Sequence, residues 1–200
     1  MTRRCVLGNF VTNSRNRKMM SENTALLVID MQKAIDHPSW GRRNNPDAEI
    51  NISRLLSTWR QKGRPVIHVR HSSREEKSTY RSHQEGFEFK PEVQPQNGEI
   101  LITKNINNAF IGTGLEAVLL QGGISTLVIC GVTTNNSVEA TARMAGDLGY
   151  QTFVVSDATA SFDKIDFSGH HRTAEEVHAM SLANLQGEYA TIASTEDVLA

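Results

Sequence analysis

What most limits the folds open to this chain is a repeated change of period. Apolar runs of strand length alternate with stretches in which apolar residues return at helical spacing. The clearest case spans residues 127–150. Leu127 to Cys130 is a continuous apolar run of the kind that fills a strand buried on both faces. Gly131 breaks it, and Thr133, Thr134, Asn135 and Asn136 come next with short side chains suited to capping. Val138, Thr141, Ala142, Ala145 and Leu148 then recur along one helix face, with Gly149 placed to end it. Strand, polar turn and helix in that order put the turn at the carboxyl edge of a sheet. There the unpaired N–H groups of a helix start face solvent or ligand. A hydroxyl at Ser137 would stand among those donors, a position that suits a nucleophile. The equally economical alternative is that the side chains of residues 134–137 merely cap the helix.

The same alternation runs through the rest of the chain. Thr24 to Ile29 is another buried-strand run, and it ends in Asp30-Met31-Gln32. An acid at the carboxyl end of such a strand either caps the next turn or sits where open α/β sheets bind ligands. A polar loop with Trp40 comes next, and Ile52, Leu55, Leu56 and Trp59 then mark one face of a helix that Gly63 ends. Pro65 to Arg70 has strand character. From His71 to Asn97 the chain is polar, and Tyr80, Phe87 and Phe89 in it either roof a pocket or anchor the segment to the core. Glu99 to Thr103 is a strand succeeded at once by Lys104, and Gly112-Thr-Gly114 is the entry turn of a helix reaching Leu120. Gln151 to Val155 is a strand ending at Ser156, and Thr173 with Glu176 has capping-box spacing for a helix carrying Val177, Met180, Leu182 and Leu185. Tyr189 to Ile192 and Thr195 to Leu199 close the chain as a short strand and a turn of helix. This order predicts an α/β fold with a mostly parallel sheet of about six strands and helices on both faces. Asp30, Lys104 and the Thr133–Ser137 turn all fall on the carboxyl rim of that sheet. An acid, an amine and a nucleophile-type residue converging at a helix start make a candidate site.

Two hundred residues suit one domain with a substantial core, expected over 23–200. Residues 1–22 differ, with Arg3, Arg4, Arg15, Arg17 and Lys18 concentrated there, and are expected to form a flexible basic arm. The apolar stretch from Cys5 to Val11 is interrupted by Gly8 and Asn9 and lacks a small-residue cleavage site after it, so no signal peptide is expected. A formal net charge of −1 excludes the basic excess of a nucleic-acid binder, and no apolar run approaches a membrane span. Two cysteines in a chain of this length point to a reducing, cytoplasmic setting.

Leu-Leu-Val-Ile-Asp-Met-Gln (26–32), Thr-Lys-Asn (103–105) with Ala-Phe-Ile-Gly-Thr (109–113), and Cys-Gly-Val-Thr-Thr-Asn-Asn-Ser-Val-Glu-Ala-Thr-Ala-Arg-Met-Ala (130–145) resemble, in order, motifs of the isochorismatase-like cysteine hydrolases. The resemblance implies a Rossmann-like domain that forms a homo-oligomer, dimer or tetramer, and acts on a small molecule without a cofactor. It implies hydrolysis of a C–N bond in an amide or carbamoyl compound by an Asp-Lys-Cys triad. Asp30 and Lys104 match the first two members, and Ser137 stands where the family has its cysteine. The same resemblance implies an oxyanion hole from the backbone N–H groups of Thr133 and Ser137, a cis peptide at Val132–Thr133, and a pocket with Gln32, Trp40, Phe110 and Asn136. A serine at position 137 has three explanations: an inactivating replacement of the cysteine, a natural site that runs through Asp30 without a covalent step, or a relative that only binds its ligand. No metal site is expected. Asp36 and His37 are adjacent, while His68 and His71 do not match the Asp/His cluster of nicotinamidase relatives. His68 reads as a core residue, His170 and His171 as loop residues, and His178 as lying on a helix face. Cys130 reads as an inert thiol inside a strand.

Overall fold

The computed structural model describes residues 22–200, so the basic arm expected over 1–22 lies, apart from Glu22, outside the described residues. In chain order the elements are β1 (Thr24–Ile29), α1 (Ala48–Gln61), β2 (Val66–His71), β3 (Ile100–Lys104), α2 (Leu115–Gln121), β4 (Thr126–Val132), α3 (Glu139–Asp147) and β5 (Gln151–Ala160). A small antiparallel hairpin of β6 (Lys164–Ile165) and β7 (His171–Arg172) comes next, then α4 (Ala174–Leu185), β8 (Thr191–Ala193) and α5 (Thr195–Leu199). Six strands form one sheet in the order β3-β2-β1-β4-β5-β8, and every neighbouring pair is parallel. The expected α/β architecture is therefore the observed one. Among the described residues no helix is long and apolar enough to cross a membrane.

The continuous apolar runs are explained by burial on both faces. Within β1, Leu26 and Val28 face a cluster with Ile52, Leu55, Leu56 and Trp59 of α1 and Val198 of α5. Ala25, Leu27 and Ile29 face the opposite cluster, which holds Leu115 and Leu119 of α2, Ala142 and Ala145 of α3 and Leu185 of α4. Each fully buried Leu or Ile contributes about 1.5–3 kcal/mol, so the two central strands anchor both layers. Trp59 incurs no polar penalty there, because its Nε1–H donates to the Thr24 carbonyl at 3.0 Å. The Thr173–Glu176 capping box forms as expected at the start of α4.

Several boundaries differ from the sequence reading: β4 is not broken at Gly131 but continues to Val132, and two other strands shift further. β5 does not stop at Ser156 but runs to Ala160, with a register shift against β4 between Ile129 and Gly131. The polar residues that look like a strand end are absorbed by neighbours: Asp157 Oδ1 accepts from the N–H and the hydroxyl of Thr195, both at 2.8 Å, and Asn45 Nδ2 donates to the carbonyls of Ser156 and Thr159. β8 begins at Thr191, later than expected, because the N–H groups of Tyr189 and Ala190 still bond to Leu185 O at the end of α4.

Candidate active site

The site is assembled where β1, β2, β3 and β4 end. β1 delivers Asp30, whose φ of 53° turns the chain sharply off the strand, a conformation Asp tolerates better than most residues. Its N–H donates to Val69 O at 2.8 Å, and its carbonyl accepts the Tyr80 hydroxyl at 3.2 Å. Beside it, Gly131 of β4 has φ of 116°, and a Cβ there would lie 2.1 Å from Ile29 O. Only glycine lets β4 pass this close to the end of β1, and this approach brings the turn after β4 next to Asp30. The Val132–Thr133 peptide is cis, and Thr134–Val138 forms one wide π-helical turn before α3.

No side chain of that turn caps the helix, so the capping alternative falls. Thr134 Oγ1 pairs instead with His178 Nδ1 at 2.8 Å, and Asn135 Oδ1 accepts from Ser161 Oγ at 3.1 Å. Ser137 Oγ accepts from Lys104 Nζ at 3.2 Å. Lys104 is the last residue of β3, and its buried ammonium also donates to Asp30 Oδ2 at 2.6 Å. Its third neighbour is His71 Nδ1 at 3.4 Å, from the end of β2. Asp30 Oδ1 is buried and has no partner. The three residues that the sequence places on one rim thus meet at one ammonium, although 74 positions separate Asp30 from Lys104.

Asp30 and Ser137, two of the groups around that ammonium, border a cavity of about 180 Å³ whose lining also includes Trp40, Thr133 and Asn136. A wider hollow of about 720 Å³ between Lys33, His37 and Glu85 shares Ser78 with it and contains none of the three. Two expected pocket residues are elsewhere. Gln32 is fully buried with its side chain used as a brace: Nε2 donates to the carbonyls of His71 and Phe87, and Oε1 accepts the His71 N–H. Phe110 packs into the core behind the rim, its ring 6.1 Å from that of Tyr150. Conversely, His71 and Asn107 line the cavity without being expected there, and Tyr80, open between roof and anchor in the sequence, lines it as well. For His71 the signal was present, since it ends a strand run just as Asp30 and Lys104 do. Tyr80 and Asn107 lie in loops, where no periodicity marks a direction. The aromatic residues of 71–97 divide between the two roles open to them: Tyr80 roofs the cavity, and Phe89 is buried against His68, with ring centroids 5.7 Å apart.

Burial and nearby charges favour the neutral forms of His71 and Tyr80 in the walls. Burial and the nearby Lys104 charge both push His71 below the ordinary imidazole value. Burial, then the Asp30 charge, hold the Tyr80 phenol well above its ordinary value. Burial likewise raises the Cys130 thiol, as expected of an inert core sulfur. His68 is wholly buried with Nε2 2.9 Å from Glu99 Oε2, a core role as expected, although its Nδ1 has no partner. Asp36 pairs with Lys90 and His37 with Ser39, and among the described residues no group of three or more His, Cys, Asp or Glu is arranged to hold a metal.

Comparison with known proteins gives the chain its family. Residues 24–197 match the isochorismatase domain. The chain is 44% identical over 180 residues to the uncharacterized isochorismatase family protein YrdC of Bacillus subtilis, covering 90% of this chain and 96% of that protein. It is 29% identical over 190 residues to Nicotinamidase 3 of Arabidopsis thaliana, covering 88% and 87% of the two chains. A solved structure of an isochorismatase family member from Chromobacterium violaceum superposes with a TM-score of 0.87 at 55% identity, over 90% of this chain and 93% of that one. By fold, by the order of its motifs and by these matches, the chain belongs to the isochorismatase family of hydrolases.

Proposed function

We propose that the protein hydrolyses the C–N bond of a small amide or carbamoyl compound, with Asp30, Lys104 and residue 137 as its catalytic centre. The observation that carries this reading is the buried Lys104 ammonium, 2.6 Å from Asp30 Oδ2 and 3.2 Å from Ser137 Oγ, two residues that line one cavity. The relation to Nicotinamidase 3 is in line with it. Residue 137 attacks the carbonyl carbon. Asp30 Oδ1, the buried oxygen with no partner, takes the nucleophile's proton and passes it to the leaving nitrogen. Backbone N–H groups of Thr133 and residue 137 hold the oxyanion, while Trp40 and Asn136 shape the pocket. The working unit is a homo-oligomer.

A thiol at position 137 would be made thiolate readily beside Lys104. A hydroxyl holds its proton far more tightly, and the group that hydrogen-bonds Ser137 Oγ, Lys104 Nζ, is a donor, not a base. That observation favours a second reading, in which Asp30 acts as acid/base on a vinyl ether and no covalent intermediate forms. Restoring the thiol decides between them. In a screen of small amides and carbamoyl compounds, Ser137→Cys is expected to raise turnover by orders of magnitude. An unchanged rate with a compound that the protein accepts would contradict the covalent reading.

A further inference from the structure

We infer that His71, as a neutral imidazole, is a positioning residue that aims the Lys104 ammonium at residue 137; this rests on the reading of Asp30, Lys104 and residue 137 as one centre. An ammonium carries three N–H bonds and no acceptor. The Lys104 side chain is wholly buried, so a bond left unmet by the protein is not made good by bulk water. Three acceptors surround Nζ: Asp30 Oδ2 at 2.6 Å, Ser137 Oγ at 3.2 Å and His71 Nδ1 at 3.4 Å. Donors and acceptors balance only when Nδ1 carries no proton.

The imidazole is held in that role from several sides. The β2–β3 register sets His71 directly opposite Lys104. The Gln32 amide clamps the His71 backbone through both its N–H, at 2.7 Å, and its carbonyl, at 3.0 Å. The Tyr80 ring meets the imidazole edge to face with centroids 5.6 Å apart, and the imidazole also hydrogen-bonds the backbone of Ile106. The charged groups facing it are Lys104 from β3 and Asp30 from the end of β1, and the Tyr80 phenol above it is neutral. A proton on Nδ1 would set a second positive charge beside Nζ and remove the acceptor, and Lys104 would turn away from residue 137.

Ser137→Cys supplies a readout that needs no substrate: the rate at which iodoacetamide alkylates position 137, measured by peptide-resolved mass spectrometry, tracks its thiolate. In that background His71→Phe removes the acceptor and His71→Asn restores a short one. Near pH 7 the His71→Phe form is expected to react about tenfold more slowly, the effect of moving the thiol titration by one pH unit, and His71→Asn to recover most of the rate. The parent profile should also carry an inflection below pH 6.5 that both variants lack. Equal rates and profiles in all three overturn the inference. A parent thiol that titrates at the ordinary ~8.5 overturns the underlying trio instead. If His71→Phe does not fold, nitrogen NMR of histidine-labelled protein decides, assigned by difference with His71→Asn. The Nε2–H tautomer at pH 7 supports the inference, and Nδ1–H or imidazolium overturns it.

Discussion

Lys104 holds its charge out of reach of water because Asp30 stands 2.6 Å away, and the cost of burying either ion is offset by the other. Such a pair adds little net stability when intact, yet losing one partner leaves a bare charge inside. Lys104→Met is therefore expected to destabilise the fold by about 3–5 kcal/mol, seen as a lower urea midpoint with an unchanged slope. Asp30→Asn tests the chemistry. The amide keeps the shape and an acceptor for Lys104 but cannot carry a proton between nucleophile and leaving group. In the Ser137→Cys form it should abolish turnover in protein that still folds, and because it leaves the buried Lys104 charge uncompensated it should lower the midpoint as well. Retained turnover would remove Asp30 from the mechanism.

Among the elements, the approach of β4 to β1 is what joins the turn bearing residue 137 to Asp30. Gly131→Ala places a methyl against the Ile29 carbonyl at a φ that L residues rarely adopt. A loss on the order of 3 kcal/mol is expected, together with loss of the Lys104–137 contact, and denaturant melts with residue-137 reactivity would report both. A second set of contacts ties the start of β3 to α1 and β2. Glu99 accepts from Arg60 at 2.7 Å and meets His68 at 2.9 Å. Burial raises the Glu99 carboxyl, but hydrogen bonds from Arg60, the Gln96 backbone and His68 outweigh it and hold it at about 2 against an ordinary 4.5. A depressed carboxyl stabilises the fold above its unfolded value, and that contribution drains away as pH falls from about 4.5 towards 2. Buried His68 acts in the same direction at higher pH, since the unfolded chain takes up its proton near 6.5 before the folded one does. Glu99→Gln should flatten the stability curve between pH 4.5 and 2, and identical acid limbs would show that the contact contributes nothing.

For the molecule as a whole, the proposed homo-oligomer is testable by light scattering. Ile165 and Phe167 of the hairpin segment and Met180 of α4 stand exposed, and a dimer or tetramer mass is expected, whereas a monomer at micromolar concentration would contradict it. Most of this architecture was legible in the sequence because two-sided burial writes continuous apolar runs, and Leu26 to Ile29 and Leu127 to Cys130 could hardly be anything else. The trio was legible because strand ends share one rim. What escaped was set by contacts across the fold: Gln32 and Phe110 sit close to their motifs in sequence yet turn to brace and core, while Tyr80 reaches Asp30 across 50 residues of chain. The polar bulge at Ser156 and Asp157 was misread as an ending because its partners, Asn45 and Thr195, lie far away in sequence. Whether residue 137 carries the nucleophile of a C–N hydrolase is read most directly by peptide-resolved mass spectrometry of the Ser137→Cys form, quenched during incubation with small amides and carbamoyl compounds. An acyl mass on residue 137 with release of the amine is expected, and turnover without that mass, or every compound recovered unaltered, would contradict the proposed role.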